Sequence, residues 1–172
     1  DGSKLPFEKN LEQSFKIFEL TQKYNACLEV ELGYVGYNDS SKNKMTSPEE
    51  VKLLTQQLPV TALAVSVGNT HLQNENSAII DYDLLAKINN VTNTPLVIHG
   101  GSGINPLDRM KMSKNYGVRK FNIGTEFRKM FGAVLREIFF KNDQIFDRFE
   151  IMKELNFELS TKAKKLLNDT NL

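Results

Sequence analysis

The sequence has little of what marks secreted, membrane-spanning or nucleic-acid-binding proteins. Its single cysteine, Cys27, excludes an internal disulfide framework and fits a reducing compartment. No apolar run is long enough to span a bilayer, and the first residues lack the basic and apolar segments of a signal peptide. With 22 lysines and arginines against 21 aspartates and glutamates, the net charge of +1 gives no electrostatic reason to expect nucleic acid or an anionic membrane as a partner. We therefore expect a cytoplasmic protein that binds neither.

The length of 172 residues is enough for one domain with a hydrophobic core, and no linker or low-complexity tract divides it. Residues 1–172 are therefore expected to form a single domain. A complete eight-stranded α/β barrel needs about 250 residues, so the chain is too short to form one alone. The polar start at Asp1, without an initiator methionine, leads us to expect further residues upstream.

Short apolar segments alternate with amphipathic ones along the chain. The apolar segments predict four strands, at residues 26–32, 62–67, 96–98 and 118–123. Helical periodicity predicts helices at residues 6–24, 47–58, 81–89 and 106–116, from about 127 onwards, and one or two more within 143–165. This alternation predicts an α/β fold with a parallel sheet and right-handed crossovers. In such folds the ligand-binding groups lie at the carboxyl ends of the strands.

The chain has only two histidines, and each one closes a predicted strand. His99 follows the third strand directly, and His71 follows the second after a short polar segment. Since the carboxyl ends of parallel strands converge, both imidazoles can reach one divalent ion such as Zn²⁺. They do not complete a tetrahedral site, so a further protein ligand is expected from elsewhere. The alternative is that they are partly buried structural histidines.

Two glutamates share one face of the first predicted strand. Glu29 and Glu31 point to the opposite side from the alternating apolar residues of the strand. Carboxylates that face inwards are costly in a plain core but are expected where they line a polar or metal site. Glu31 is the better candidate ligand because it lies nearer the carboxyl end of the strand. The alternative is that either glutamate pairs with a lysine or arginine inside the fold.

Glycine-rich turns follow the last two predicted strands. The first turn contains Gly100, Gly101, Ser102 and Gly103, and the second contains Gly124 and Thr125. Glycines let the backbone approach a ligand and turn its amide groups towards an anion. Barrels often build a phosphate site after their last two strands, so the paired turns predict phosphate binding. Asn122 can orient a substrate hydroxyl or carbonyl, or serve as a structural bridge.

Five segments share their order and near spacing with one known family. They are DGSKLPFE at residues 1–8, LEVELG at 28–33, LAVSVGNTH at 63–71, LVIHGGSG at 96–103 and KFNIGTEF at 120–127. The family that they resemble is that of the class II, metal-dependent ketose-bisphosphate aldolases, which includes fructose-bisphosphate and tagatose-bisphosphate aldolases. The C-terminal helices beyond these segments are less diagnostic.

The resemblance implies a fold and a metal site. The fold is the C-terminal part, strands four to eight, of a TIM (β/α)8 barrel with C-terminal helices, in which the fourth strand ends at Asp1. His71 and His99 would be two of the three ligands of a catalytic zinc, and Asp1 and Glu31 would belong to a second or alternative divalent-metal position. Zn²⁺ in such a site polarises the ketose carbonyl and stabilises the enediolate formed when the carbon–carbon bond breaks.

The resemblance also implies that dihydroxyacetone phosphate is held between the two turns. The implied contacts are Gly100, Gly101 and Ser102 in the first turn, and Asn122, Ile123, Gly124 and Thr125 in the second. Leu72 stands where the family usually has a glycine with a backbone phosphate contact. The proton-transfer aspartate and the remaining zinc histidine of the family have no counterpart in this chain, so the catalytic residue is unassigned. Asp39 lies in a shorter version of the loop that carries a proposed proton-transfer glutamate, and it is only a weak candidate to replace that glutamate.

Three functions are compatible with these observations. The first is a class II aldolase, an aldehyde-lyase that reversibly cleaves a ketose 1,6-bisphosphate, with fructose 1,6-bisphosphate the expected substrate, into dihydroxyacetone phosphate and glyceraldehyde 3-phosphate. The second is a non-catalytic phosphosugar-binding or scaffolding half-barrel, and the third is a phosphosugar isomerase or epimerase. An open half-barrel exposes strand edges, so we expect the missing half or a partner to cover it. The C-terminal helices are expected to form a homo-oligomer, a dimer or tetramer.

Overall fold

The computed structural model describes residues 1–36, 44–72 and 78–170. The helices are α1 (Phe7–Lys23), α2 (Pro48–Gln57), α3 (Tyr82–Val91), α4 (Pro106–Asn115), α5 (Thr125–Lys141) and α6 (Arg148–Thr170). The strands are β1 (Glu29–Leu32), β2 (Ala62–Val65), β3 (Leu96–Ile98) and β4 (Val118–Phe121). A short 3-10 turn, Gly101–Gly103, follows β3. The predicted alternation of strands and helices is confirmed in these ranges, although three of the strands are shorter than predicted.

The four strands form one parallel sheet in the order β1-β2-β3-β4, so each strand pairs with the next along the chain. Consecutive strands of an α/β barrel pair in this way. One face of the sheet packs against α2, α3 and α4 in a single hydrophobic core. The strand residues of this core are Val30, Leu32, Leu63, Val65, Leu96, Ile98 and Val118. Because side chains alternate along a strand, Glu29 and Glu31 lie on the opposite face, here called the inner face.

Three helices that cover the sheet begin at side chains that cap their first backbone amides. Each capping oxygen accepts a hydrogen bond from the N–H three residues later; the pairs are Ser47 with Glu50, Asp81 with Leu84, and Asn105 with Asp108. Such caps contribute about 1 kcal/mol each. Gly117, directly after the C-cap of α4, has a φ of +67°, which is typical of a helix-ending glycine. The local sequence therefore determines where the covering helices begin and where α4 ends.

The C-terminal segment forms one continuous helix, α6, which packs against α4 and α5. The hydroxyl of Ser113 on α4 donates a 2.6 Å hydrogen bond to the carbonyl of Thr170, at the end of α6. Several large apolar side chains of α5, α6 and the segment between them are exposed: Phe140, Phe146, Phe149 and Phe157. In the described part of the chain, no helix combines the length and the apolar character needed to cross a membrane.

Thr46 joins the ends of β1 and β2 behind the inner face. Its hydroxyl donates to the Leu32 carbonyl at 2.6 Å and accepts from the Ser66 amide at 2.8 Å. Its own amide donates to the Ser66 carbonyl at 3.0 Å. Thr46 is buried, so water cannot replace a lost partner. The residue therefore keeps these two strand ends at a constant spacing.

Replacing Thr46 by valine should lower the free energy of unfolding by about 2 kcal/mol, because it removes the buried partner of the Leu32 carbonyl and of the Ser66 amide. Urea denaturation measures this loss. The matched control is Thr55→Val, because the Thr55 hydroxyl donates to a carbonyl within its own helix, that of Val51. The loss in this variant should stay below about 0.5 kcal/mol. Equal losses in the two variants would contradict the assigned role of Thr46.

Candidate metal and phosphate site

The candidate site lies at the carboxyl-terminal edge of the sheet. β1 contributes Glu29 and Glu31 from its inner face, His99 directly follows β3, and Asn122 directly follows β4. His71 lies in the loop after β2. Because all four strands are parallel, their carboxyl ends and the loops after them meet at one edge. Residues that are far apart in sequence therefore become neighbours.

The two histidines lie side by side, with ring centroids 5.7 Å apart and planes inclined by 47°. His99 is held between two carboxylates of β1. Its Nε2 lies 3.1 Å from Glu29 Oε1, and its Nδ1 lies 3.3 Å from Glu31 Oε2. The structure thus brings together three of the four predicted metal residues, and it adds Glu29 to them.

Glu29 has a second partner, because the ammonium group of Lys120 lies 2.6 Å from its Oε2. Lys120 comes from the middle of β4, so this ion pair spans the sheet from its first strand to its last. The alternative that one of the two glutamates pairs with a lysine is therefore correct for Glu29. Glu31 is more deeply buried, with a side chain 7% exposed, and contacts His99.

These contacts shift the proton affinities of the site in opposite directions. The Glu31 carboxylate, with that of Glu29, outweighs the effect of burial and raises the pKa of His99 above its ordinary value. Burial, together with the nearby charge of His99, lowers the pKa of His71. Burial alone would raise the pKa of Glu29, but its bonds from Lys120 and His99 lower it below the ordinary value. The pKa values of the two neighbouring imidazoles are therefore shifted apart, that of His99 upwards and that of His71 downwards.

The donors of the site fit a divalent ion, although they do not complete its coordination. In the described ranges, no group of three or more His, Cys, Asp or Glu side chains is arranged to hold a metal ion. His71 and His99 offer two neighbouring imidazoles, and a ligating histidine usually donates its other ring N–H to a carboxylate. His99 can therefore keep one carboxylate contact while its other nitrogen binds an ion. Two imidazoles alone leave positions of a tetrahedral ion open.

Asp1, the fourth predicted metal residue, is engaged in its own turn. Its Oδ1 accepts hydrogen bonds from the amide of Ser3 at 2.9 Å and from the Ser3 hydroxyl at 2.6 Å. Asp1 lines a cavity of about 100 Å³, to which Glu29 also contributes. Its other oxygen, Oδ2, can bind a metal ion without loss of the Ser3 bonds.

A larger cavity of about 560 Å³ opens beside His71 and collects the predicted phosphate residues. Its lining includes Leu72, Gly100, Ser102, Asn122, Ile123, Gly124 and Thr125. Gly101 does not line it, but the Gly101 amide donates to the Asn122 carbonyl at 3.0 Å and so joins the two turns. The structure therefore brings the two glycine turns together around one cavity next to the histidine pair.

Asn69 and Gly100 tie the two histidine loops to each other. The Asn69 side-chain amide donates to the His99 carbonyl at 2.9 Å, and its oxygen accepts from the Val67 amide at 2.8 Å. Gly100 has a φ of +66°, and a Cβ at this position would lie 2.3 Å from the Thr70 carbonyl oxygen. Only glycine meets both conditions. From the sequence, Asn69 is recognisable only as part of a polar segment after β2, and no local pattern predicts this bridge.

Leu72 has a φ of +58°, in the left-handed region that disfavours a side chain by about 1 kcal/mol. Its backbone thus adopts the conformation that suits the glycine usual in the family. Asp39 lies outside the described residues.

Sequence reasoning also missed Arg128. This arginine lines the large cavity, and one of its guanidinium nitrogens donates to the Thr125 hydroxyl at 3.2 Å. It places a positive charge beside the two turns, which favours an anion there.

The sequence profile of the family described as "Fructose-bisphosphate aldolase class-II" matches residues 1–171. The chain is similar to the fructose-bisphosphate aldolase of Mycoplasma genitalium, with 34% identity over 164 residues that cover 90% of this chain and 56% of the relative. It is also similar to the fructose-bisphosphate aldolase of Mycoplasma pneumoniae, with 38% identity over 141 residues that cover 80% of this chain and 48% of the relative. The chain therefore spans about half the length of these curated relatives.

Solved structures give the same fold. A putative fructose-1,6-biphosphate aldolase from Coccidioides immitis matches with a TM-score of 0.85 at 20% identity, over 98% of this chain and 60% of that one. The fructose-bisphosphate aldolase of Campylobacter jejuni matches with a TM-score of 0.81 at 23% identity, over 98% and 58%. The predicted fold, an α/β chain that forms the C-terminal part of a TIM barrel, is confirmed.

In metal-free protein, the NMR titration of His99 should have its midpoint above the ordinary imidazole pKa of 6.5, and that of His71 should have its midpoint below it. The sign follows because carboxylates stabilise the imidazolium form of His99, whereas burial and a neighbouring positive charge destabilise that of His71. Glu29→Gln should lower the His99 midpoint. Glu12→Gln, which removes a carboxylate paired with Lys16 on the surface of α1, should leave it unchanged. A His99 midpoint below that of His71 would refute this description.

Proposed function

Because the chain belongs to the class II fructose-bisphosphate aldolase family, we propose that it forms the C-terminal part of the active site of a metal-dependent lyase. The reaction is the reversible cleavage of a ketose 1,6-bisphosphate, with fructose 1,6-bisphosphate the first candidate, into dihydroxyacetone phosphate and glyceraldehyde 3-phosphate. The observation that carries the proposal is the histidine pair, 5.7 Å apart, beside a cavity lined by two glycine turns. Metal dependence is general in the class II family. The protein is proposed to work in the cytoplasm.

In this proposal His71 and His99 hold the catalytic divalent ion. We propose that this ion is Zn²⁺, because imidazole nitrogens are common ligands of zinc. Glu31 and Asp1 serve a second or alternative metal position, and Glu29 orients His99 through its ring nitrogen. A bound ion of this kind supplies Lewis-acid polarisation of the ketose carbonyl. Lys120 keeps the Glu29 carboxylate ionised, so that it remains an acceptor for the imidazole N–H.

The two glycine turns bind the phosphate of the three-carbon ketone. The backbone of Gly100 and the hydroxyl of Ser102 form one side of the site, and residues 122–125 form the other. Gly101 joins the two sides through the bond from its amide to the Asn122 carbonyl. Arg128 adds a positive charge, and the first turn of α5 adds backbone amides that favour an anion. Asn122 then orients a hydroxyl or carbonyl of the bound ketose. The proton-transfer groups are expected in the part of the fold that this chain lacks or in residues 37–43, which include Asp39.

The second candidate function is a phosphosugar-binding half-barrel without catalysis. One observation favours it, which is that both ring nitrogens of His99 are already paired with carboxylates. A protein with this function would bind phosphate in the same cavity but would hold no metal ion. Metal analysis therefore distinguishes the half-barrel from the metal-dependent lyase.

The protein at its natural length should cleave fructose 1,6-bisphosphate, and a chelator should abolish the activity until Zn²⁺ is restored. His99→Ala should remove both bound zinc and activity, whereas Glu29→Gln should weaken zinc binding by about 10- to 100-fold. Coupled assay of triose phosphate and elemental analysis measure these effects. Glu12→Gln on the exposed surface of α1 is the control and should change neither quantity.

Turnover that survives complete chelation would rule out the metal-dependent lyase. Stoichiometric phosphate binding in a protein that holds no zinc would support the scaffold instead. Residues 1–172 alone should be inactive or nearly so, because the proton-transfer aspartate has no counterpart here.

We also propose that the protein forms a homo-oligomer, a dimer or tetramer, through its C-terminal helices. Phe140 and Phe146 are 91% and 92% exposed. Side chains of this kind bury well in an interface between subunits.

Phe140→Ser combined with Phe146→Ser should lower the mass measured by sedimentation to that of a smaller species, because the interface loses its aromatic contacts. Leu107→Ser on α4, where the side chain is 77% exposed, is the control and should keep the parental mass. A parent protein that sediments as a monomer at micromolar concentration would contradict the proposal.

A further inference from the structure

Arg109 is a fully buried arginine that lies behind the two glycine turns. It stands on α4, and its side chain is 1% exposed. It does not line the phosphate cavity, so it is not a direct ligand of the proposed phosphate. A buried guanidinium loses several kcal/mol of hydration and needs specific partners to compensate. Its partners therefore indicate what the charge is for.

The guanidinium joins the two turns. Its Nε donates to the Gly101 carbonyl at 3.0 Å, in the turn after β3. One terminal nitrogen forms an ion pair with the carboxylate of Glu126, in the first turn of α5. The other terminal nitrogen is buried and has no hydrogen-bond partner among the described residues. The guanidinium of Arg109 thus contacts one group in each of the two turns that border the phosphate cavity, the Gly101 carbonyl and the Glu126 carboxylate.

Two further bonds cross between the same turns. The Gly101 amide donates to the Asn122 carbonyl at 3.0 Å, and the Glu126 amide donates to the Ser102 hydroxyl at 3.2 Å. The Gly101 amide is therefore held by Asn122, in the turn after β4, while its carbonyl accepts from Arg109 and from the Ile104 amide at 3.1 Å. Of these contacts to the carbonyl, only the one from Arg109 also reaches the second turn, through Glu126.

The ion pair also bears on the charge of the cavity. Thr125, which lines the cavity, is the first residue of α5, and the amino end of a 17-residue helix favours an anion. The carboxylate of Glu126 lies in the same turn and by itself would repel a phosphate dianion. Arg109 neutralises that carboxylate from the protein side, where it does not occupy space in the cavity.

We propose that Arg109 is a positioning residue that couples the two phosphate turns through the Gly101 carbonyl and the Glu126 carboxylate. The inference rests on the phosphate role proposed above for these turns. A purely structural role would lower stability when Arg109 is replaced but would leave phosphate affinity unchanged in the folded protein. Phosphate affinity is therefore the quantity that separates the two roles.

Two variants test the coupling in the protein at its natural length. Arg109→Lys keeps the charge but loses the planar fork that reaches both partners. Arg109→Met combined with Glu126→Gln removes both charges, so that no unpaired buried charge remains and the fold is preserved. Met112→Ala is the control, because Met112 lies on the same helix and its side chain packs in the hydrophobic core. The cavity that this substitution leaves in the core should lower the melting temperature, while the contacts of Arg109 with Gly101 and Glu126 remain.

The measurements are the dissociation constant of inorganic phosphate by calorimetry, KM and kcat with fructose 1,6-bisphosphate, bound zinc and melting temperature. Both test variants should raise the phosphate dissociation constant and KM by about 10-fold, with kcat within about 3-fold of the parent and zinc content unchanged. Met112→Ala should lower the melting temperature at least as much as the two test variants do. Its phosphate dissociation constant should stay at the parental value.

An unchanged phosphate dissociation constant in either folded test variant would overturn the inference, as would an equal rise in Met112→Ala. A parent protein that binds no phosphate would overturn it as well. A parent that binds phosphate but does not cleave the bisphosphate would refute the proposed reaction alone, and the comparison of phosphate affinities would still decide the role of Arg109.

Discussion

The contact of His99 with Glu29 and Glu31 is the interaction on which the candidate site depends. It joins the end of β3 to β1 across the inner face of the sheet. Carboxylates removed from water are costly unless they are paired, and here the imidazole and Lys120 are the partners. With those charges compensated, one face of the sheet can carry ionisable groups while the other remains a continuous hydrocarbon core. The separation of the two faces follows from the alternation of side chains along each strand.

Much of this arrangement could be predicted from sequence because it follows from local rules. Alternation in β1 puts Glu31 on the inner face, the abrupt end of the apolar run after Ile98 marks His99 as a strand-end residue, and the glycines that follow it indicate a turn whose backbone can approach a ligand. Parallel strand ends then bring the two histidines together without any knowledge of their contacts.

What the sequence could not reveal are the partners that lie far apart along the chain. The bond from Asn69 to the His99 carbonyl, the ion pair of Lys120 with Glu29 and that of Arg109 with Glu126 follow from tertiary packing. Periodicity says which face a side chain occupies but not which residue it meets on another element. Lys120 is an example. A lysine in a strand is ordinarily expected to face solvent, but here it forms an ion pair with Glu29, three strands away in the sheet.

The close packing of Gly100 against Thr70 has a consequence for motion. The chain after β2 and the chain after β3 lie so close at this point that there is no room for a methyl group on Gly100. Asn69, two residues before His71, adds a hydrogen bond to the His99 carbonyl. Residues 69–71 and 99–100 are therefore linked at this contact, and we expect a displacement of one histidine to carry the other with it. If so, the entropy of arranging the two imidazoles is lost during folding and does not recur at each binding event.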